Sequence, residues 1–254
     1  MSLPQARLLT VSAGAFAVLL GVSGCLGSGP DRPAGAVSAA PETTGHSAAL
    51  TEAQARAALI TEADLGVPWG PTGGAATWRD TLLKASTDAP ACQQLLDGLY
   101  ADELFGEPPG TYAVTALDDG DDQAQLRYQV ATRRPADVDR TLAWLKTLPQ
   151  TCAQFTAATT AVGRQDVQVT EIALPRFGDA REALRVTVKG LEDMTEDGAP
   201  VTLTLDVAAV RVGDDTIVLT DGALGTPPAD VPRQALELGI RRLTQVRETG
   251  RAQA

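Results

Sequence analysis

Apolar residues recur along this chain either at every second position or at every third and fourth, and the two periods divide it into strands and helices. Helical spacing places Cys92, Leu95, Leu96 and Leu99 on one face of a helix from about Pro90 to Tyr100, and Pro90 suits a first turn. A longer helical segment is predicted from Ala136 toward Ala161. Val138, Leu142 and Leu145 begin its face, Cys152, Phe155 and Thr159 continue it, and Pro149 should bend or split it. A closing helix starts at Asp230 and Pro232, lines up Leu236, Ile240, Leu243 and Val246, and stops before Gly250. Thr51 is an N-cap for a short helix through Leu59, and Thr61 caps a further turn, Glu62 to Leu65, ended by Gly66 and Pro68.

Period two marks the strands. Tyr112, Val114 and Ala116 alternate, as do Leu126, Tyr128, Val130 and Thr132, and Asp118 to Asp122 with its central Gly120 is a natural hairpin connection. Val167 and Val169 open another strand whose phase shifts by Ile172 and Leu174. Leu184, Val186 and Val188 form the next. Val201, Leu203, Leu205 and Val207 run on to Val212, with a phase change near Ala208 that predicts a bulge. Asp214 and Asp215 turn the chain into a last strand, Thr216 to Thr220. Hairpin-spaced strands with helices grouped at the ends predict an α+β single domain, an antiparallel β-sheet of about five to six strands packed with helices.

The amino end follows neither period. Arg7 precedes an apolar run from Leu8 to Leu20, and Val22-Ser23-Gly24-Cys25 follows it. A basic start, a short apolar core and small residues before a cysteine resemble a bacterial lipoprotein signal peptide with its lipobox. The core is too short to span a bilayer, which takes about 20 residues. On this reading residues 1–24 are the signal peptide and Cys25 is lipidated. A diacylglyceryl group there supplies the two chains that stable anchoring needs. A plain signal peptide, with Cys25 incidental, is the alternative. Residues 25–50, rich in Gly, Ser, Pro, Ala and Thr, form a flexible tether that contains the only histidine, His46. The domain is expected over 51–248, with 249–254 a disordered tail.

Composition narrows the partners. The chain has 254 residues, 44% of them apolar but only 4% aromatic, so the core must be built from Leu, Val and Ala. A net charge of −11 repels nucleic acid and anionic headgroups, and no basic patch is interleaved with aromatics. Partners are therefore expected to be the membrane through the lipid anchor and a small ligand or envelope protein, not nucleic acid. With Cys25 lipidated, Cys92 and Cys152 remain as an even pair outside the cytoplasm, where a disulfide is expected, two buried free thiols being the alternative.

Candidate chemistry is sparse. His46 in a tether cannot serve a catalytic triad, no G-x-S-x-G elbow is present, and phosphate-loop, dinucleotide and zinc spacings are missing. No catalytic residue, cofactor or metal site is therefore assigned. Asp118 to Asp122 does not match a calcium loop and reads as a solvated turn, as do Glu192 to Gly198 and Gly213 to Asp215. A carboxylate-dependent hydrolase would need two acidic side chains converging in a pocket. Trp69, Trp78 and Trp144 read first as plugs in an aromatic-poor core. Trp69 and Trp78, in a Gly- and Pro-rich stretch expected at the surface, are the candidates for lining a ligand cleft.

Three stretches carry a family resemblance: Ala58 to Gly66, the helix-borne Cys92 and Cys152, and Val210 to Leu219. With them the chain resembles the PknH-like extracellular sensor domains of actinobacterial kinases and lipoproteins. The absence of Asn and the scarcity of Lys suit such a GC-rich source. The resemblance implies an antiparallel sheet flanked by helices, a cleft for a small ligand, and sensing or binding in place of catalysis. It transfers no functional residue to a numbered position. The expectation is a lipid-anchored sensor or ligand-binding domain on the extracytoplasmic side of the cell membrane. The alternative is an accessory or scaffold lipoprotein that binds another envelope protein.

Overall fold

The computed structural model describes residues 49–121, 123–190, 200–227 and 230–253. The chain divides into two units, residues 1–44 and 45–254, and every described residue lies in the second. The signal peptide, Cys25, most of the tether with His46, and the Glu192 to Gly198 turn fall outside the described residues. Among the described residues, no helix is long and apolar enough to cross a membrane.

One open sheet organises the fold. Its strands are β1 (Trp69–Pro71), β2 (Tyr112–Asp119), β3 (Ala124–Thr132), β4 (Gln154–Thr159), β5 (Gly163–Glu171), β6 (Ala180–Gly190), β7 (Thr202–Val212) and β8 (Asp215–Leu224). The order across the sheet is β1-β2-β3-β8-β7-β6-β5-β4, and every neighbouring pair is antiparallel. Helices cover both faces. Helices α3 (Pro90–Ala101) and α4 (Pro135–Thr151), with a single π-helical turn at Arg79–Leu83, share one apolar cluster with β5, β6 and β7. Helices α1 (Glu52–Ala57), α2 (Glu62–Leu65) and α5 (Val231–Gln253) cover the other face, where β2, β3 and β8 contribute most of the strand residues.

Local chemistry accounts for the element ends. The Gln54 N–H donates to the Thr51 hydroxyl at 3.2 Å and the Thr51 N–H to the Gln54 side chain at 2.9 Å, a capping box that starts α1. Proline opens α3 and α4, where a missing N–H costs nothing. Cys92 on α3 and Cys152 at the end of α4 form a disulfide with Cα atoms 5.7 Å apart, tying together the two helices of that layer.

The sheet has eight strands, not five to six, and the two unforeseen strands include both edges. β1 is only three residues long, inside the Gly- and Pro-rich stretch. β4 occupies residues that the helical reading assigned to the continuation of α4. Cys152, Phe155 and Thr159 fit a helical face and a strand equally well. The helix ends at Thr151 with Cys152 as its C-cap, and β5 offers a ladder that pairs Gln154 to Thr159 with Gln168 to Gly163. Pro149 sits in the last turn of α4 and does not split it. No bulge interrupts β7, whose register with β6 and β8 is continuous through Ala208. Its apolar phase changes because both faces are buried, Val207 and Ala209 under α4 and Ala208 and Val210 under α5. Helix α5 continues through residues 249–253, expected as a tail. Gln54 of α1 packs against Gly250 so closely that a Cβ there would lie 2.4 Å from its amide nitrogen, and this contact holds the last turns.

Candidate functional site

The tryptophans do not make a cleft. Trp69 is 8% exposed and packs with the α5 layer, whereas Trp78 is 4% exposed and packs with the α4 layer. They lie in clusters on opposite faces of the sheet, because β1 carries one ring and the chain crosses over before the π-helical turn delivers the other. Trp144 is a partly buried contact of the α4 layer.

The structure opens elsewhere, where β3 runs into α4. Two adjoining cavities, of about 590 and 450 Å³, share Pro109, Arg133 and Arg134 in their walls. Pro135 and Ala136 at the start of α4 and Asp214 from the β7–β8 turn complete much of the larger one. Phe105, Val138 and Arg140 line the smaller. Ala49, the first described residue, also lines the larger cavity.

Arg133 is the organising residue. It follows directly on the last residue of β3, and its backbone N–H donates to the Asp214 carbonyl at 2.9 Å. Its side chain is buried and donates to the Phe105 carbonyl at 2.8 Å and the Gly106 carbonyl at 2.7 Å. The Phe105 ring centre lies 5.8 Å from the guanidinium carbon. Gly106 adopts φ +66°, a conformation open to glycine that lets the 102–111 loop present consecutive carbonyls to the same guanidinium. The Nε–H has no acceptor, and among the described residues no carboxylate pairs with Arg133. Burial pulls its pKa down from the usual arginine value.

The surrounding charges are otherwise engaged. Asp137 in the first turn of α4 accepts from Arg134 at 2.6 Å and from Arg140 at 3.0 Å, and these arginines hold its carboxyl below the usual range. The positive end of the α4 macrodipole faces the same opening, since Pro135 and Ala136 both line it. The arrangement combines a largely apolar larger cavity, a smaller one that also carries Glu107 and Asp137, one buried cation satisfied by neutral carbonyls only, and Arg134 and Arg140 paired with Asp137 beside it. Such a site can hold an apolar body whose anionic head approaches Arg133.

The hydrolase reading needs convergent acids in an opening. Asp119, Asp206, Asp215 and Asp221 are buried, so the acidic residues are not all on turns and exposed helix faces. None of these four lines either cavity at Arg133; the acids that do are Glu107 and Asp137 in the smaller and Asp214 in the larger, and Asp137 is held by Arg134 and Arg140. Among the described residues, no group of three or more His, Cys, Asp and Glu side chains is placed to hold a metal ion.

Sequence reasoning missed Arg133. The available signal was the Arg133-Arg134 pair in an acidic chain, set between a strand end and a Pro-initiated helix.

No family model matches the sequence, and no curated protein matches it either. Among solved structures, the chain is similar to the extracellular domain of PknH from Mycobacterium tuberculosis. The two are 13% identical, with a TM-score of 0.45, over 80% of this chain and 100% of that one. It is also similar to a putative uncharacterised protein, the Rv0999 ortholog from Mycobacterium smegmatis. There the identity is 15% and the TM-score 0.37, over 78% of this chain and 97% of the other.

Proposed function

We propose that this chain is a lipid-anchored binding module of the extracytoplasmic membrane face, without catalytic activity, that receives an anionic amphiphile in the paired cavity at Arg133. The observation that carries the reading is the buried Arg133 guanidinium, which has two carbonyl acceptors but no carboxylate partner and borders both cavities. Burying a cation without a counter-charge is costly, and an incoming carboxylate or phosphate would supply one. The apolar walls would take an alkyl or isoprenoid body. The lipobox at Val22 to Cys25 supports the anchor.

Native mass spectrometry of the chain purified from its own membranes tests the ligand. A co-purifying small molecule with one carboxylate or phosphate supports the reading, and a neutral or cationic one contradicts it. The anchor is tested separately. Cys25→Ser should abolish incorporation of an alkyne-tagged fatty acid and move the protein from the membrane to the soluble fraction, and unchanged labelling would refute lipidation at Cys25.

A protein partner is the second reading. It is favoured by Tyr112, 52% exposed on β2, where β1 pairs only with Leu117 to Asp119 and leaves the outer edge of Tyr112 to Thr115, opposite β3, unpaired among the described residues. Crosslinking in intact cells from position 112 should then capture one dominant envelope protein.

A further inference from the structure

Asp221 lies in the middle of β8, on the face covered by α5, and its side chain is 0% exposed. Both carboxyl oxygens lack a hydrogen-bond partner. In register it stands beside Leu126 of β3 on one side and Asp206 of β7 on the other. Asp206 is itself engaged, accepting two bonds of 2.7 Å from Arg185 on β6. Asp119 of β2, 3% exposed and accepting from the Asp121 N–H at 3.0 Å, is the other acid that acts on Asp221.

The remaining neighbours bring no cation to it. β3 contributes Leu126 and Tyr128 to this face, and β1 contributes Trp69. The α5 residues buried in this cluster are Ala235, Leu236 and Leu243. The charged residues of α5 that reach inward are committed elsewhere, Arg242 to Asp64 and the Leu59 carbonyl, and Arg247 to Asp215. Arg233 and Arg241 of α5 pair at the surface with Asp230 and Glu237. Nor can β8 turn the carboxyl outward, because on the opposite face the Trp78 ring is packed onto Gly222, where a Cβ would come within 2.8 Å of it.

We infer that Asp221 is a proton-operated latch beneath α5, closed while the carboxyl is neutral and loosened when it ionises. A carboxyl with no donor, buried among apolar groups and flanked by two acids, is tolerated only in its protonated form. Burial first, then Asp206 and Asp119, pushes its pKa up from 3.8 to about 7. The folded state therefore keeps a proton that the unfolded chain has lost between these values, so stability falls as pH rises through that window and levels off above it. From this group alone the unfolding equilibrium constant rises by up to about tenfold per pH unit there. The latch thus makes the seating of α5 sensitive to the acidity of the compartment, independently of what occupies the cavity at Arg133.

The test compares the full chain with Asp221→Asn by urea unfolding from pH 4.5 to 8. The wild type should lose stability steadily up to neutrality, while Asp221→Asn should lose much less over the same range, keeping only the smaller contribution of acids such as Glu182, and be the more stable of the two at pH 8. Parallel profiles would overturn the proposal. Should the variant not fold, the wild type still decides. The side-chain carboxyl carbon of Asp221, followed by NMR, should titrate near neutrality together with faster amide exchange over Ala235 to Leu243. A midpoint below pH 5, or exchange in α5 that ignores the titration, would overturn it.

Discussion

Tyr128 and Gly239 form the tightest side-chain contact beneath α5. The ring of Tyr128 is fully buried, its hydroxyl has no acceptor, and a Cβ on Gly239 would lie 1.7 Å from that oxygen. Gly239→Ala should therefore destabilise the protein by about 2–3 kcal/mol through overpacking. Adding Tyr128→Phe should recover part of the loss, because the clashing atom is removed and no hydrogen bond is given up. Chemical denaturation of the two single variants and the double variant measures the coupling. Equal losses in Gly239→Ala with and without the hydroxyl would contradict this packing. At this scale the sequence was legible wherever spacing alone determined burial, as for Leu95, Leu96 and Leu99 on α3. It was opaque wherever burial depends on a distant element. Trp69 and Trp78 sit in a stretch whose composition reads as surface, yet the two faces of the sheet bury both rings. Asp221 follows Thr220 at the end of the apolar stretch Ile217 to Leu219, with no local sign that α5 will cover it.

The elements legible in the sequence were those with long, unambiguous periods: α3, β2, β3, β6, β8 and α5. Those it hid are short or defined by a partner. β1 is three residues that become a strand only beside Asp119 to Leu117 of β2. β4 shows a helical period and becomes a strand because β5 lies next to it. The Cys92–Cys152 disulfide sits at the junction of these effects, fastening the end of α4 to α3. The cysteines are 60 residues apart in sequence, and a loop of that size is worth about 4 kcal/mol of chain entropy in the unfolded state. The paired variant Cys92→Ser with Cys152→Ser should lose close to that amount in urea unfolding. A loss below about 1 kcal/mol would show that the α3–α4 layer holds without the bridge.

For the molecule as a whole, charge and position matter more than any single strand. A chain of net charge −11 buries Arg133, which among the described residues has no carboxylate partner, in the wall of two adjoining cavities. The α+β class was readable from the order of periods. The cavity was not, because the 102–111 loop, the β7–β8 turn and the start of α4 meet there only after the sheet is assembled. The most direct measurement is a calorimetric titration of the unlipidated Cys25→Ser protein with decyl phosphate and decanoate, with decanol as the neutral control. Saturable binding of the two anions but not of decanol is expected. Arg133→Met should weaken it at least about tenfold, the worth of one charge-assisted hydrogen bond, and Ala136→Trp, which fills the larger cavity from an exposed helix position, should block it. Equal binding of decanol, no binding of either anion, or affinity unchanged in both variants would contradict the account.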